Sequence, residues 1–189
     1  MFYVIRKEVI AVNQRTRLTK ALLRQAMLRQ LETKGVDRVT VVGLCQDAGI
    51  NRSTFYRYYS APGDVVQDLQ QSILEDIRQI MARIDPGSEV TYLRQMDAVF
   101  DYLYQNRRSI RLLLSSMDFG LQLLESTMQT AGLMKRQALR MDETDRQMAA
   151  TMLLHGGYSL VRQWLMAEEP MPPLEFSQRM RTVLRSLYL

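Results

Sequence analysis

Apolar side chains recur every three or four residues along most of the chain, which is the spacing of amphipathic helices rather than of strands. Within residues 15–33, for example, Leu23, Met27 and Leu31 lie four apart and predict a helix with a broad apolar face that ends before Gly35. The pattern predicts further helices at about 41–48, 51–59, 62–83, 89–105, 107–116, 118–139, 143–167 and 174–188. The sequence therefore predicts an all-α protein of about nine helices.

The segment 40–59, TVVGLCQDAGINRSTFYRYY, has the pattern of two short helices joined by a tight turn. Small or apolar residues recur on one face of Val41–Ala48, and Gly49 then stands where a helix C-terminus favours a residue that tolerates positive φ. Asn51 can cap the backbone amides of the second helix, which we expect to run to about Tyr59. This arrangement predicts a helix-turn-helix.

The second predicted helix combines two aromatic residues of buried type, Phe55 and Tyr59, with a polar surface. That surface supplies guanidinium, hydroxyl and phenol donors from Arg52, Ser53, Thr54, Tyr56, Arg57 and Tyr58. Such donors can bind phosphates and base edges, so the helix is suited to the major groove of DNA. Because residues early in a recognition helix point into the groove, we expect Arg52 to contact a base edge, with a phosphate contact as the alternative.

Residues 40–59, together with the upstream Arg15–Lys20, resemble the signature of the TetR/AcrR family of bacterial transcription regulators. The resemblance covers residues 14–74. It implies that this part is a three-helix DNA-binding domain with a helix-turn-helix. The domain would be preceded by an N-terminal extension at residues 1–13 and followed by a helical regulatory and dimerisation domain at residues 75–189.

The resemblance also assigns contacts with DNA. In the family, the threonine and tyrosines at the positions of Thr40, Tyr56 and Tyr58 commonly touch phosphates. We expect the DNA-binding residues to be Lys20, Thr40, Asn51, Arg52, Ser53, Thr54, Tyr56, Arg57 and Tyr58. For Lys20, a place on a solvated helix face is an equal alternative. The family usually has a lysine at the start of the next helix, whereas this chain has Pro62 near that point, so we expect one phosphate contact fewer.

As a function, the resemblance implies sequence-specific regulation of transcription. We expect a cytoplasmic repressor that binds a palindromic DNA operator as a homodimer and is released by a small apolar effector. A ligand-independent regulator, or a co-activator controlled by a protein partner, is the alternative. Trp164 followed by Pro170, Pro172 and Pro173 resembles a subgroup near the glycerone-kinase operon activators.

Two predicted helices near the end of the chain are candidates for the dimer interface, because one helix-turn-helix covers too few base pairs for useful specificity. The segment 143–167 offers Met148, Met152, Gly156, Gly157 and Trp164, and the segment 174–188 offers Phe176, Met180, Val183, Leu184 and Leu187. We expect these two segments of both copies to form a four-helix interface.

Methionine is concentrated in the second part of the chain, where eleven of the thirteen lie at or beyond Met81. Because methionine adapts to irregular shapes, this region could line an apolar effector cavity between helices, and a methionine-rich core is the alternative. The candidate effector-binding residues are Tyr92, Met96, Phe100, Met117, Met134 and His155.

Charge is distributed unevenly along the chain. Residues 1–60 hold eleven Lys or Arg against four Asp or Glu, a net charge of +7, whereas residues 61–189 hold fourteen against sixteen, a net charge of −2. The basic part coincides with the predicted helix-turn-helix, which favours contact with phosphates. The single cysteine, Cys45, excludes an intrachain disulfide and fits a reducing cytoplasm, and we expect it to be a small packed residue rather than a redox sensor.

Enzymatic and membrane functions have little support in the sequence. With His155 as the only histidine, a multi-histidine metal cage is excluded, and an enzyme that uses this residue is the alternative class. Asp142, Glu143 and Asp145 stand where a helix N-terminus favours acidic residues, so we expect neither a metal nor a cofactor there. No apolar run approaches a membrane span, and residues 1–13 are expected to be a frayed extension rather than a signal peptide or membrane anchor.

Overall fold

A computed structural model describes residues 2–82, 89–114, 117–128 and 142–188 of the chain. Over these residues all regular elements are helical, which confirms the all-α prediction. The helices are α1 (Phe2–Leu31), α2 (Val41–Ala48), α3 (Arg52–Tyr56), α4 (Pro62–Met81), α5 (Glu89–Gln105), α6 (Arg107–Leu113), α7 (Met117–Met128), α8 (Glu143–Met166) and α9 (Pro173–Tyr188), with a 3-10 turn at Val36–Arg38. None of the helices in these ranges is both long and apolar enough to span a membrane.

The first helix begins earlier than predicted. α1 starts at Phe2 rather than at Arg15, so the segment that was expected to be frayed is helical. No proline or glycine precedes Gly35, and therefore nothing in the local backbone chemistry stops a helix in this part of the chain.

The recognition helix is shorter than predicted. α3 ends at Tyr56 rather than at Tyr59. The amides of Tyr58 and Tyr59 both donate to the carbonyl oxygen of Phe55, at 2.9 and 3.0 Å, and this pair of hydrogen bonds closes the helix with a turn. α3 is thus a single short segment of five residues.

Two other predicted helices also end early within the described residues. The helix predicted over 62–83 ends at Met81, and the helix predicted over 107–116 ends at Leu113. The helix predicted over 118–139 is observed at Met117–Met128, and the remainder of that prediction, 129–139, lies outside the described residues.

The chain divides into two compact units, an N-terminal unit at Met1–Gln71 and a C-terminal unit at Ser72–Leu189. In the N-terminal unit, α1 packs against α2 and α2 packs against α3. Its core contains the fully buried side chains of Leu23, Met27, Leu44, Phe55 and Val65. The apolar face predicted for α1 is therefore the face that carries the short helices.

In the C-terminal unit, α5 packs against α9 and α7 packs against α8. Trp164 stacks on Phe176 with ring centroids 4.3 Å apart, and Phe100 meets both rings edge-on. The indole N–H of Trp164 donates to the carbonyl oxygen of Met171 at 2.8 Å, which links α8 to the segment before α9. Trp164 and Phe176 were predicted at the dimer interface, but both are buried within the chain because they fill this aromatic core.

Candidate nucleic-acid interface

The turn of the helix-turn-helix is fixed by its backbone. At the start of α2, Thr40 Oγ1 accepts a hydrogen bond from the Gly43 amide at 3.2 Å. At its end, Gly49 adopts the left-handed conformation, with φ 65° and ψ 33°, and the Ile50 amide donates to the Cys45 carbonyl oxygen at 3.0 Å. A side chain at position 49 would be strained in this conformation, so glycine sets the angle between the two helices.

Asn51 caps the recognition helix as the sequence predicts. Its Oδ1 atom accepts hydrogen bonds from the Thr54 amide and from the Ser53 hydroxyl, each at 2.8 Å. Two of the predicted DNA-binding side chains, Asn51 and Ser53, are therefore engaged with each other at the start of α3.

One face of the helix-turn-helix is buried. Leu44, Cys45 and Ala48 of α2 face inward together with Phe55 and Tyr59, as their spacing predicts. Burial raises the pKa of the Cys45 thiol, so the neutral form is favoured in this core position. The outward side of the motif is thereby left to polar residues.

The outward side carries two guanidinium groups and a phenol. Arg52, Tyr56 and Arg57 are exposed, and the relative exposure of Tyr56 is 59%. Arg52 and Tyr56 lie four residues apart and share one face of α3. Thr54 and Tyr58 are half-buried. Arg52 and Tyr56 are thus exposed donors on one face of α3, and Arg57 is an exposed donor directly after it.

The predicted contact residue Lys20 is engaged within the N-terminal unit. Its Nζ atom lies 3.2 Å from Asp68 Oδ1 and 5.2 Å from the centre of the Tyr59 ring. Tyr58 is similarly close to α1, because its hydroxyl lies 3.4 Å from Thr16 Oγ1. These contacts connect α1 to the segment that follows the recognition helix.

Sequence reasoning missed Asp68, which lies on α4. Its Oδ2 atom accepts hydrogen bonds from Arg24 Nε at 2.7 Å and from the Tyr59 hydroxyl at 2.6 Å. Partial burial raises the pKa of Asp68, but the hydrogen bonds from Arg24 and Tyr59 outweigh it and lower the pKa to about 2. Burial, and then the bond to Asp68, raise the pKa of Tyr59. The sequence feature that could have identified Asp68 is its position as an acidic residue between the apolar Val65 and Leu69.

The start of α4 is held by the carboxylate of Asp64. Asp64 Oδ2 accepts hydrogen bonds from the amides of Ser60 and Ala61, at 2.6 and 3.0 Å. Pro62 is the first residue of α4, a position where its missing N–H costs no helical hydrogen bond. The Asp64 carboxylate therefore fixes the connection between α3 and α4.

The second part of the chain matches a known protein family. A TetR-type family model, described as the transcriptional regulator C-terminal region, matches residues 91–186, which is more than half of the chain. The chain belongs to the TetR family of transcriptional regulators. None of the curated proteins matches this TetR-family regulator in sequence.

Solved structures share the fold of this TetR-family regulator. A TetR transcriptional regulator from Streptococcus agalactiae 2603V is 18% identical, with a TM-score of 0.66 over 93% of this chain and 98% of that one. The dihydroxyacetone kinase operon activator DhaS is 11% identical, with a TM-score of 0.64 over 90% and 96% of the two chains. The fatty acid degradation regulator FadR from Bacillus halodurans is 16% identical, with a TM-score of 0.60 over 88% and 94%. At these identities the likeness concerns the fold alone.

The predicted effector-binding residues have different surroundings. Phe100 is buried among aromatic rings, Met96 is half-buried on α5, and His155 is exposed on α8. Tyr92 and Met117 lie in α5 and α7, but their side chains are outside the described set, as is the whole of Met134. Of the candidates whose side chains are described, Phe100 therefore lies in the core and His155 lies on the surface.

The acidic residues at the start of α8 have a structural role. Asp142 is the N-cap, and its Oδ1 atom accepts a hydrogen bond from the Asp145 amide at 2.8 Å. Glu143 pairs with Arg146 at 2.6 Å one turn later. Within the described part of the chain, no group of three or more His, Cys, Asp or Glu residues could hold a metal ion.

α8 also exposes an apolar row. Met148, Met152 and Leu160 have relative exposures of 61%, 66% and 41%, and Gly156 completes a series spaced by four residues. We call these four residues the α8 stripe. Such spacing places them on one side of the helix.

The two adjacent glycines of α8 face different surroundings. A Cβ atom built on Gly156 would meet nothing within 4 Å, whereas one built on Gly157 would lie 2.6 Å from Leu124 Cδ2 of α7. Gly157 therefore permits packing between α7 and α8 within the unit. Gly156 leaves room on the exposed side.

Proposed function

We propose that this TetR-family regulator is a sequence-specific DNA-binding protein that acts as a repressor, in which α3 contacts the major groove. The observation that carries the proposal is the exposed group formed by Arg52, Tyr56 and Arg57 on a capped helix-turn-helix. Two guanidinium groups and a phenol can bind phosphates and base edges together. The net charge of +7 in residues 1–60 supports the same partner, because a basic surface attracts a polyanion.

The two arginines have separable roles in this proposal. Arg52 is the first residue of α3 and is placed to read a base edge, whereas Arg57 follows the helix and is placed to bind a phosphate. Arg52→Ala should cost about 1 to 3 kcal/mol on the preferred duplex and relax base preference. Arg57→Ala should weaken all duplexes alike and lower the slope of log affinity against log salt by about one.

A titration of duplex DNA at several salt concentrations tests these roles. The matched control is Arg94→Ala, which removes an exposed arginine from α5 of the C-terminal unit and should leave the affinity unchanged. If both Arg52→Ala and Arg57→Ala bind DNA like the unaltered protein, the proposed interface is wrong.

A homodimer is the second part of the proposal, and the α8 stripe supports it. Long apolar side chains that are well exposed in a row favour a protein partner. A second copy of the same chain is that partner, since two recognition helices about 34 to 36 Å apart, or a multiple of that distance, can read a palindrome. Leu174 and Val183 of α9 are also exposed.

Release by a small apolar effector is the third part of the proposal. α4 is one continuous helix from Pro62 to Met81, and the boundary between the two units falls within it. An effector that favours one state of the C-terminal unit could then change the spacing of the recognition helices. Displacement of bound DNA by apolar compounds, measured by fluorescence anisotropy, tests this part, and a Met96→Lys variant should resist displacement.

Control by a protein partner is the second candidate. DhaS, whose fold this chain shares, is named as an operon activator. Transcription of the genes next to the bound sites, measured with and without the regulator, distinguishes a repressor from a co-activator. Repression requires transcript levels to rise when the regulator is removed, and a fall would favour the co-activator.

A further inference from the structure

The recognition helix has little packing of its own. α3 contains five residues, and Phe55 is the buried residue among them. A helix of this length is unstable in isolation because nucleation is costly and few hydrogen bonds are formed. Its position must therefore depend on the anchors at its two ends. The Gly49 turn and the Asn51 cap supply the anchor at the N-terminal end.

Tyr59 supplies the anchor at the other end. Its ring is buried against Phe55, with ring centroids 5.8 Å apart, and its hydroxyl donates to Asp68 Oδ2 at 2.6 Å. The same carboxylate accepts from Arg24 Nε at 2.7 Å and lies 3.2 Å from Lys20 Nζ. One side chain of α4 thus links α1 to Tyr59, three residues beyond the end of the recognition helix.

We propose that Asp68 is a positioning residue for DNA recognition, which fixes the C-terminal end of α3 through Tyr59. The inference rests on the proposed DNA binding and adds a residue that touches no DNA itself. A carboxylate near a DNA-binding surface is repelled by phosphates, so its presence needs another reason. The reason is geometric, because Oδ1 and Oδ2 together satisfy three donors from two different segments.

Electrostatics and positioning make opposite predictions for Asp68→Asn. Removing a negative charge should tighten DNA binding if only net charge matters. The amide, however, offers one oxygen in place of two. Its NH₂ group faces Lys20 if it replaces Oδ1, or Arg24 and the Tyr59 hydroxyl if it replaces Oδ2, so at least one of these donors loses its acceptor. If Asp68 positions α3, the variant should lose affinity for the preferred duplex although the protein has become more basic.

The experiment uses the full chain and two duplexes of equal length. One duplex is selected from a randomised pool by the unaltered protein, and the other has the same composition in shuffled order. Asp68→Asn should bind the selected duplex about tenfold more weakly than the unaltered protein does, because it loses one charge-assisted hydrogen bond. It should bind the shuffled duplex as tightly as the unaltered protein does, or more tightly. The ratio of the two affinities is the readout, since loss of folded protein would lower both.

Tyr59→Phe keeps the buried ring and the charge of Asp68 but removes the hydroxyl donor. It should lower the same affinity ratio, and the double variant should be no worse than Asp68→Asn, since both changes break one link. Glu75→Gln removes a charge from an exposed acid of the same helix and should change neither affinity. Unchanged ratios in Asp68→Asn and Tyr59→Phe would overturn the inference. Failure of the unaltered protein to select any duplex would instead overturn the proposed DNA binding.

Discussion

Both units are built from helices, but the exposed residues of α3 are polar whereas those of the α8 stripe are apolar. In the N-terminal unit the exposed positions of α3 carry Arg52, Tyr56 and Arg57, whereas in the C-terminal unit the exposed row of α8 carries Met148 and Met152. Charged donors fit a polyanion, and apolar side chains fit another protein surface. Composition of the exposed face, rather than the fold, therefore distinguishes the kind of partner that each unit is suited to bind.

The largest expected effect concerns the core of the N-terminal unit. Phe55→Ala should cost about 3 to 5 kcal/mol of unfolding free energy, because the side chain is fully buried and its removal leaves a cavity. DNA binding should be lost, while the apolar surface of α8 still forms a dimer. Thermal unfolding measures the stability of the variant, and sedimentation of the same sample measures the dimer. Loss of the dimer together with DNA binding would contradict the proposal that the two units bind different partners.

The next effect concerns the α8 stripe. Met152→Arg should convert the protein to a monomer and weaken operator binding about a hundredfold, since a charge cannot be buried at an apolar interface without a partner. Leu18→Arg is the matched control, because Leu18 in the N-terminal unit has a similar exposure of 62%. Light scattering at micromolar concentration should find a dimer for the control. A dimeric Met152→Arg variant would argue against the stripe as the interface.

A smaller effect is expected at the cap of the recognition helix. Asn51→Ala should cost about 1 kcal/mol, because the Thr54 amide loses its acceptor at the start of α3. The change should reduce DNA affinity and local protection of amide hydrogens in α3. Hydrogen exchange followed by mass spectrometry measures that protection, and Asn51→Asp, which retains an acceptor, should restore it.

The smallest effect is a pH dependence from Asp68. The folded-state pKa of about 2 lies below the ordinary value of 3.8, so the carboxylate stabilises the folded state above about pH 4. That contribution, no more than about 1 kcal/mol after solvent screening, should be lost as pH falls from about 4 toward 2. Urea unfolding across this range should show a shallower decline for Asp68→Asn. An identical decline in both proteins would contradict the assignment.

The helix-turn-helix could be predicted from the sequence because it depends on local interactions of a few residues. Gly49 and Asn51 act on the backbone within a few residues of themselves, and the buried position of Phe55 follows from helical spacing, whereas Tyr59 is buried although it lies beyond the end of α3. The link to Asp68 could not be read in this way, because an acid on α4 must meet partners that only the tertiary fold brings close.

Apolar residues near the end of the chain were harder to assign. Spacing places Trp164 and Met152 on a helix. Sequence alone does not separate them further, because a core side chain and a side chain at a protein interface are both apolar. The structure separates them, because Trp164 is stacked on Phe176 whereas Met152 is exposed. The early start of α1 was missed because residues 1–13 were expected to be a frayed N-terminal extension, whereas α1 begins at Phe2.

Selection of duplexes from a randomised DNA pool, followed by sequencing, tests the central claim most directly. If paired recognition helices read DNA, the pool should be enriched in a motif with two-fold symmetry, whose half-sites are centred about 10 base pairs apart or a multiple of that distance. Arg52→Ala should enrich a motif with weaker base preference in both half-sites. A pool that shows no enriched motif, or a single half-site without symmetry, would contradict the claim that paired recognition helices read DNA.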